Sequence, residues 1–197
     1  MRKRIFISIE LPDGVIQKLV ESLEKWRWLP IRWLPPENWH ITIVPPFYAE
    51  ENEIAVIKEV LIKATRSFKP FEIAFDSIIL APLERKARMI WFSGPQSREL
   101  EMLKLEIERV FSKNKFIPTF KSEENMISAH ITLARFDEGS LSELEQKTRT
   151  LEKLKLLFTV SAVDIMESHL KQSGAEYEMF AKISFVEEEA RGYEFLP

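Results

Sequence analysis

The 197-residue sequence has no cysteine, which removes disulfides, thiolate metal sites and cysteine nucleophiles and fits a reducing interior. It also lacks a long apolar run. The start, Met1-Arg-Lys-Arg-Ile-Phe-Ile-Ser-Ile-Glu10, turns from basic to apolar, but Glu10 and Pro12 cut the run short of a signal core or a membrane span. A cytoplasmic protein with no membrane association is therefore expected. No large excess of one charge is present either: the formal net charge is −3, with a pI near 5.8. Such a whole-molecule field does not draw in a long polyanion, so any nucleic acid would be met locally, at an end. No Gly/Ser-rich linker divides the chain. Its three histidines show no His-x-x-x-His spacing, so neither a metal site nor a cofactor is expected.

What is present is an ordinary globular composition, 45% apolar, 30% charged and 11% aromatic, enough to bury a substantial core. Within it one pattern occurs twice: His40-Ile41-Thr42-Ile43 and, 90 residues later, His130-Ile131-Thr132-Leu133. Each copy lies in an apolar, β-branched stretch that reads as a strand, Trp39 to Val44 and Ile127 to Ala134. Alternation along a strand puts histidine and threonine on one face. Side by side, the two strands would converge two imidazoles and two hydroxyls on one small volume, an arrangement suited to holding and breaking a phosphodiester.

The rest of the chain repeats an order of elements around these motifs. Arg4 to Ile9 reads as a strand, followed by a helix through Val15, Leu19, Leu23 and Trp26 and a short strand near Ile31 to Leu34. A helix spans about Glu51 to Thr65, and strands follow at Phe71 to Leu80 and Arg88 to Phe92, joined by a charged tip, Glu84-Arg85-Lys86. In the second half a helix from Ser97 to Ser112 precedes the second motif. A helix near Leu141 to Leu151 then leads to strands over Leu156 to Met166 and near Tyr177 to Phe185. Phe71 to Ile78 and Phe158 to Ile165 each begin about thirty residues after their histidine. The expectation is an α+β fold, a single domain over 1–197 made of two pseudo-symmetric lobes with largely antiparallel sheets, flanking helices and a central cleft, each lobe carrying one motif.

The paired His-x-Thr-x on a duplicated chain resembles the two-histidine (2H) phosphoesterase superfamily, and within it the RNA 2′,3′-cyclic phosphodiesterases, historically called 2′-5′ RNA ligases. Further segments carry the likeness: Arg4 to Pro12, Arg32-Trp-Leu-Pro-Pro-Glu-Asn-Trp-His40, Ala129-His-Ile-Thr-Leu-Ala-Arg135, and the closing hairpin Ser168 to Tyr177. Two places depart from it. Val44-Pro45-Pro46-Phe47 replaces the family's usual Phe-Leu-Gly, changing the loop beside the first histidine, and Ala129 stands where a proline often precedes the second. The resemblance implies hydrolysis of a 2′,3′-cyclic phosphate to a 2′-phosphate.

The residues suit that chemistry. Histidine titrates near pH 6.5, so His40 and His130 can coexist as one neutral base and one protonated acid, with the roles assigned to the pair. Thr42 and Thr132 can donate to phosphate oxygens. Arg4, Arg32, Lys121 and above all Arg135 can supply a local positive field. Phe6, Trp39, Phe47 and Tyr177 are the aromatics nearest the motifs, with Phe47 and Tyr177 taken as candidates to stack on a base and Trp39 facing away. His169 has Lys171 rather than threonine two positions on and reads as a surface or fringe residue. The charged stripes of Ser97–Arg109 and Glu143–Glu152 read as solvated helix faces. The expected partners are RNA ends or nucleotide cyclic phosphates, met by a monomer. Alternatives are phosphodiesterase action on 2′-5′ linkages or an ADP-ribose cyclic phosphate, weak reverse ligation, or an RNA-end binding module without turnover.

Overall fold

The fold is that of a computed structural model, which describes residues 1–83, 86–114, 117, 128–137, 139–141, 150–171 and 174–185. The chain begins with strand β1 (Lys3–Glu10) and helix α1 (Asp13–Leu23), which buries Val15, Leu19 and Leu23 at four-residue intervals along one stripe. A short strand β2 (Arg32–Trp33) precedes β3 (His40–Ala49), which carries the first motif. Helix α2 (Glu51–Thr65) opens on a reciprocal cap in which the Glu53 carboxylate accepts from the Glu50 backbone N–H at 2.7 Å. Strands β4 (Phe71–Ala81) and β5 (Met89–Gln96) lead to α3 (Arg98–Phe111), capped by Ser97 Oγ accepting from the Leu100 N–H at 3.2 Å. The second motif lies on β6 (Ser128–Arg135), and β7 (Thr150–Val160), β8 (Ala162–Lys171) and β9 (Gly174–Ser184) close the described chain.

Among the described residues these nine strands form one antiparallel sheet in the order β7-β4-β5-β6-β3-β1-β8-β9, with β2 added beside β6. The two sheets expected are two sets of strands, one around each motif, and they meet at the single register pair Ile41↔Ile131. The sets do not divide at the middle of the chain. After α2 the chain crosses to the second set as β4, and after β7 it returns to the first as β8 and β9. The two segments read as equivalents are therefore partly neighbours: Phe71 pairs with Val160 and Ile73 with Phe158, while Ala162 to Ile165 belong to the other set. Phe75 fills the space between, stacked on Phe92 at 4.8 Å and Phe158 at 5.9 Å.

Three local expectations change. Val44 to Phe47 is not a loop: β3 runs through both prolines, which sit opposite Phe6 in a bulge between the pairs Ile5↔Phe47 and Ile7↔Val44, where ladder donors are not needed. The span Leu156 to Met166 is broken at Ser161 into β7 and β8. Thr150 and Leu151, assigned to the end of a helix, begin β7; 142–149 lie outside the described residues, as do Glu84 and Arg85 of the charged tip. Among the described residues no helix is long and apolar enough to cross a membrane.

One carboxyl is buried in the first strand set. Asp164 on β8 is 1% exposed; one oxygen accepts from the Glu10 backbone N–H at 3.2 Å and the other has no partner. Burial pushes it up to about 6, with Glu10 adding to the rise and Lys182 and the Glu10 N–H opposing it. A carboxyl raised in the folded state stabilises the fold fully below its unfolded value near 3.9, and that contribution is lost as pH rises through about 6. Asp164→Asn is accordingly expected to raise stability by on the order of 2 kcal/mol above pH 7. Thermal melts of both proteins at pH 8 and pH 4.5 check this, since a pH-independent difference would contradict the linkage.

Candidate active site

Alternation in β3 and β6 sends Ile41, Ile43, Ile131 and Leu133 into the core and leaves His40, Thr42, His130 and Thr132 half-buried on the opposite face. The antiparallel pair Ile41↔Ile131 sets His40 on the side of Thr132, and Thr42 on the side of His130. All four line one cavity of about 210 Å³, together with Arg4, Phe6, Asn38, Arg135 and Tyr177. Leu34 and Pro46 complete the wall. Arg4 and Arg135 bring two guanidinium groups, and no carboxylate lines the cavity among the described residues. Glu10, opposite His40 in the ladder, is drawn instead to Lys182 at 2.7 Å.

His40 is held on three sides. Its Nδ1 donates to the Asn38 carbonyl at 2.8 Å, since a carbonyl can only accept, so the neutral ring carries its lone pair on Nε2. That Nε2 lies 3.1 Å from the Thr42 hydroxyl. The Asn38 side chain in turn donates to the Ala175 carbonyl at 2.7 Å, tying the residue that orients His40 to β9. Phe6 packs against the imidazole at 4.9 Å between ring centroids and Tyr177 meets it edge-on at 5.3 Å. Burial holds His40 below the ordinary imidazole range; the Asn38 carbonyl works against this and the nearby Arg135 charge with it. His130 is braced differently, its ring stacked on the Trp91 indole at 4.0 Å and 18°. Trp91 reaches it because β5 pairs Trp91 with Thr132 and Ser93 with His130, which puts both on the cavity face.

Of the residues singled out in the sequence, His40, His130, Thr42, Thr132, Arg135, Tyr177, Arg4 and Phe6 meet at this cavity. Phe47 does not. It is 5% exposed and packs against Phe111 of α3 at 6.5 Å, because β1 pairs it with Ile5, a core residue, and directly paired residues share a face. Pro46, one residue earlier, lines the cavity instead. Trp39 is buried, as its alternation implies. Arg32 pairs with Arg135 in the ladder and lays its guanidinium against Gly174 rather than the cavity. His169 is on the surface, 3.4 Å from Glu178. Lys121 lies outside the described residues. Asn38 and Trp91 were not singled out: Asn38 acts through its backbone carbonyl, which no side-chain pattern reveals, and Trp91 reaches the site only through the β5–β6 register.

Residues 9–91 match the family model described as LigT like Phosphoesterase. To that extent the chain is similar to the LigT-like phosphoesterases. Similar curated proteins include the RNA 2′,3′-cyclic phosphodiesterase of Methanothermobacter thermautotrophicus, 24% identical over 90% of this chain and 96% of the relative. The protein of the same name from Archaeoglobus fulgidus is 27% identical over 67% of this chain and 72% of its own length. The fold is shared with a solved protein of Thermus thermophilus (TM-score 0.74, 21% identity, 92% of this chain and 97% of that one). It is also shared with Escherichia coli LigT crystallised with 3′-AMP (TM-score 0.72, 15% identity, 95% and 100%).

The different bracing of the two rings can be tested apart from the rings themselves. Trp91→Leu removes the ring stacked on His130, and Asn38→Ala keeps the Asn38 carbonyl but removes the side-chain bond to Ala175 that holds it in place; both leave the imidazoles present and are each expected to lower kcat for phosphoester cleavage by about 10- to 100-fold with KM within about twofold. Steady-state kinetics on each variant, with melting curves as a folding control, provide the check.

Proposed function

We propose that this protein hydrolyses 2′,3′-cyclic phosphates at the ends of RNA or on nucleotides, leaving a 2′-phosphate. The observation that carries this reading is the cavity itself: two imidazoles, two hydroxyls and the Arg135 guanidinium around one volume free of lining carboxylates among the described residues. The curated relatives' name and the nucleotide in the E. coli LigT structure support the choice of substrate class.

With the cyclic phosphate between the rings, one imidazole takes a proton from water as its oxygen attacks phosphorus. The P–O3′ bond breaks, and the other imidazole gives its proton to the departing 3′ oxygen. Attack and departure occur on opposite sides of phosphorus, and the diagonal placement of His40 and His130 across the antiparallel pair suits that geometry. The exchanging atom of His40 is Nε2, because Nδ1 is committed to the Asn38 carbonyl. Thr42 and Thr132 donate to the non-bridging oxygens, and Arg135, whose contact among the described residues is the Met89 sulfur at 3.7 Å, offsets their charge. Each step uses groups already oriented by the fold, so little of the barrier goes to reorganisation.

The test is a short RNA ending in a 2′,3′-cyclic phosphate, incubated with the protein in EDTA. A 2′-phosphate end is expected from the wild type, with His40→Ala and His130→Ala each slower by roughly 10²–10⁴-fold. Intact RNA, or turnover that survives both substitutions, would refute the reading. Parallel incubations with a 2′-5′-linked dinucleotide and an ADP-ribose cyclic phosphate decide which phosphodiester is preferred.

A further inference from the structure

Arg4 lines the same cavity as the two histidines but has no task in the chemistry above. It stands two residues before Phe6 on β1, so both side chains leave the strand on the cavity face. One guanidinium nitrogen donates to Ser168 Oγ at 2.6 Å, and Ser168 is 5% exposed, so a buried hydroxyl fixes the group from behind. That hydroxyl is the polar partner of Arg4 among the described residues. The neighbouring acid, Glu167, is taken by Lys3 at 2.5 Å. A half-buried guanidinium held by a neutral group keeps its charge and most of its five donors for a ligand.

Its position relative to the rings gives the ligand's chemistry. Ser168 pairs across the ladder with Tyr177, whose ring meets Phe6 at 4.9 Å and His40 at 5.3 Å. Arg4 therefore stands on the β1–β8–β9 side of the cavity, with the Phe6–Tyr177 pair against His40 on that same side. Arg135 belongs to the other strand set, on β6. A nucleotide whose cyclic phosphate lies between the histidines would lay its sugar along the half-buried Tyr177 ring, which Phe6 backs from the core, within range of a second positive group.

Resting on the proposed reaction, we infer that Arg4 and Ser168 form a second anion subsite, which takes the phosphate on the 5′ oxygen of the terminal nucleoside. A polynucleotide end and a 5′-phosphorylated nucleotide carry that group, whereas a nucleoside 2′,3′-cyclic phosphate does not. The subsite makes the protein prefer ends of chains, or nucleotides, over nucleosides.

The test compares binding of two product-like probes, adenosine 2′-phosphate and adenosine 2′,5′-bisphosphate, to the wild type and to Arg4→Gln by calorimetry. The wild type is expected to bind the bisphosphate tighter by roughly tenfold or more, the size of one charge-assisted contact. Arg4→Gln is expected to erase that gain while leaving the 2′-phosphate affinity within about twofold, which also shows that the variant is folded. Equal wild-type affinities, a gain that survives in Arg4→Gln, an equal loss for both probes, or no binding of either would overturn the inference. If the bisphosphate gain depends on Arg4 while cyclic phosphates are not hydrolysed, the proposed reaction falls and the anion subsite stands.

Discussion

The site depends on one junction, the antiparallel pairing of β3 with β6 at Ile41 and Ile131. Both residues are almost completely buried, as are Ile43 and Leu133, and burying such a side chain is worth about 1.5–3 kcal/mol. Those same alternations project the imidazoles and hydroxyls. A one-residue slip of either strand would send a histidine into the core and an isoleucine into the cavity, so core packing and active-site register are a single constraint. The junction is also brief. Because the strand sets share one pair, they diverge beyond it, and the divergence leaves room for a ligand between rings that would otherwise be covered by a continuous ladder.

Charge is separated rather than abundant. A chain of net charge −3 keeps carboxylates off the cavity wall among the described residues and places Arg4 and Arg135 on it. Near the site, Glu10 turns to Lys182, Glu167 to Lys3, and Asp164 stays underneath, largely hidden from solvent. A cavity with positive lining and partly apolar walls strengthens its field on a bound phosphate, because less water is present to screen it. It favours an anion small enough to enter without any general affinity for a polyanion.

Much of this was legible in the sequence where local rules act alone. The stripe of α1, the spans of α2 and α3 and the His-x-Thr-x alternation needed no knowledge of the rest of the chain. The exchange of β4 between strand sets was not legible, since local periodicity is indifferent to which neighbour a strand finds. Phe47 was misassigned by proximity in sequence; its pairing with Ile5 beyond the bulge places it in the core. Pro45 and Pro46 read as the end of a strand because proline lacks a ladder donor, yet a bulge absorbs that lack and continues β3 to Ala49. Trp91 and Asn38 act through a cross-strand register and a backbone carbonyl, and neither leaves a side-chain pattern to read.

The two imidazoles share a motif but not an environment, and under the proposed reaction that difference has a consequence. His40 is half-buried, edged by Tyr177 and within the field of Arg135, and its loss of solvent favours the neutral form. A phosphate anion bound between the rings would add negative charge beside Nε2 and offset the Arg135 repulsion, raising the proton affinity of His40 as the substrate arrives. The ring would then be a weak proton acceptor before binding and a better one after it. The hydrogen bond to Asn38 keeps Nδ1 out of this exchange, so the gained affinity is expressed at the nitrogen that faces the cavity. His130, stacked on Trp91, is fixed by a contact that constrains its plane. One repeated sequence pattern thus sets two imidazoles in different surroundings, His40 hydrogen-bonded through Nδ1 and His130 stacked on an indole.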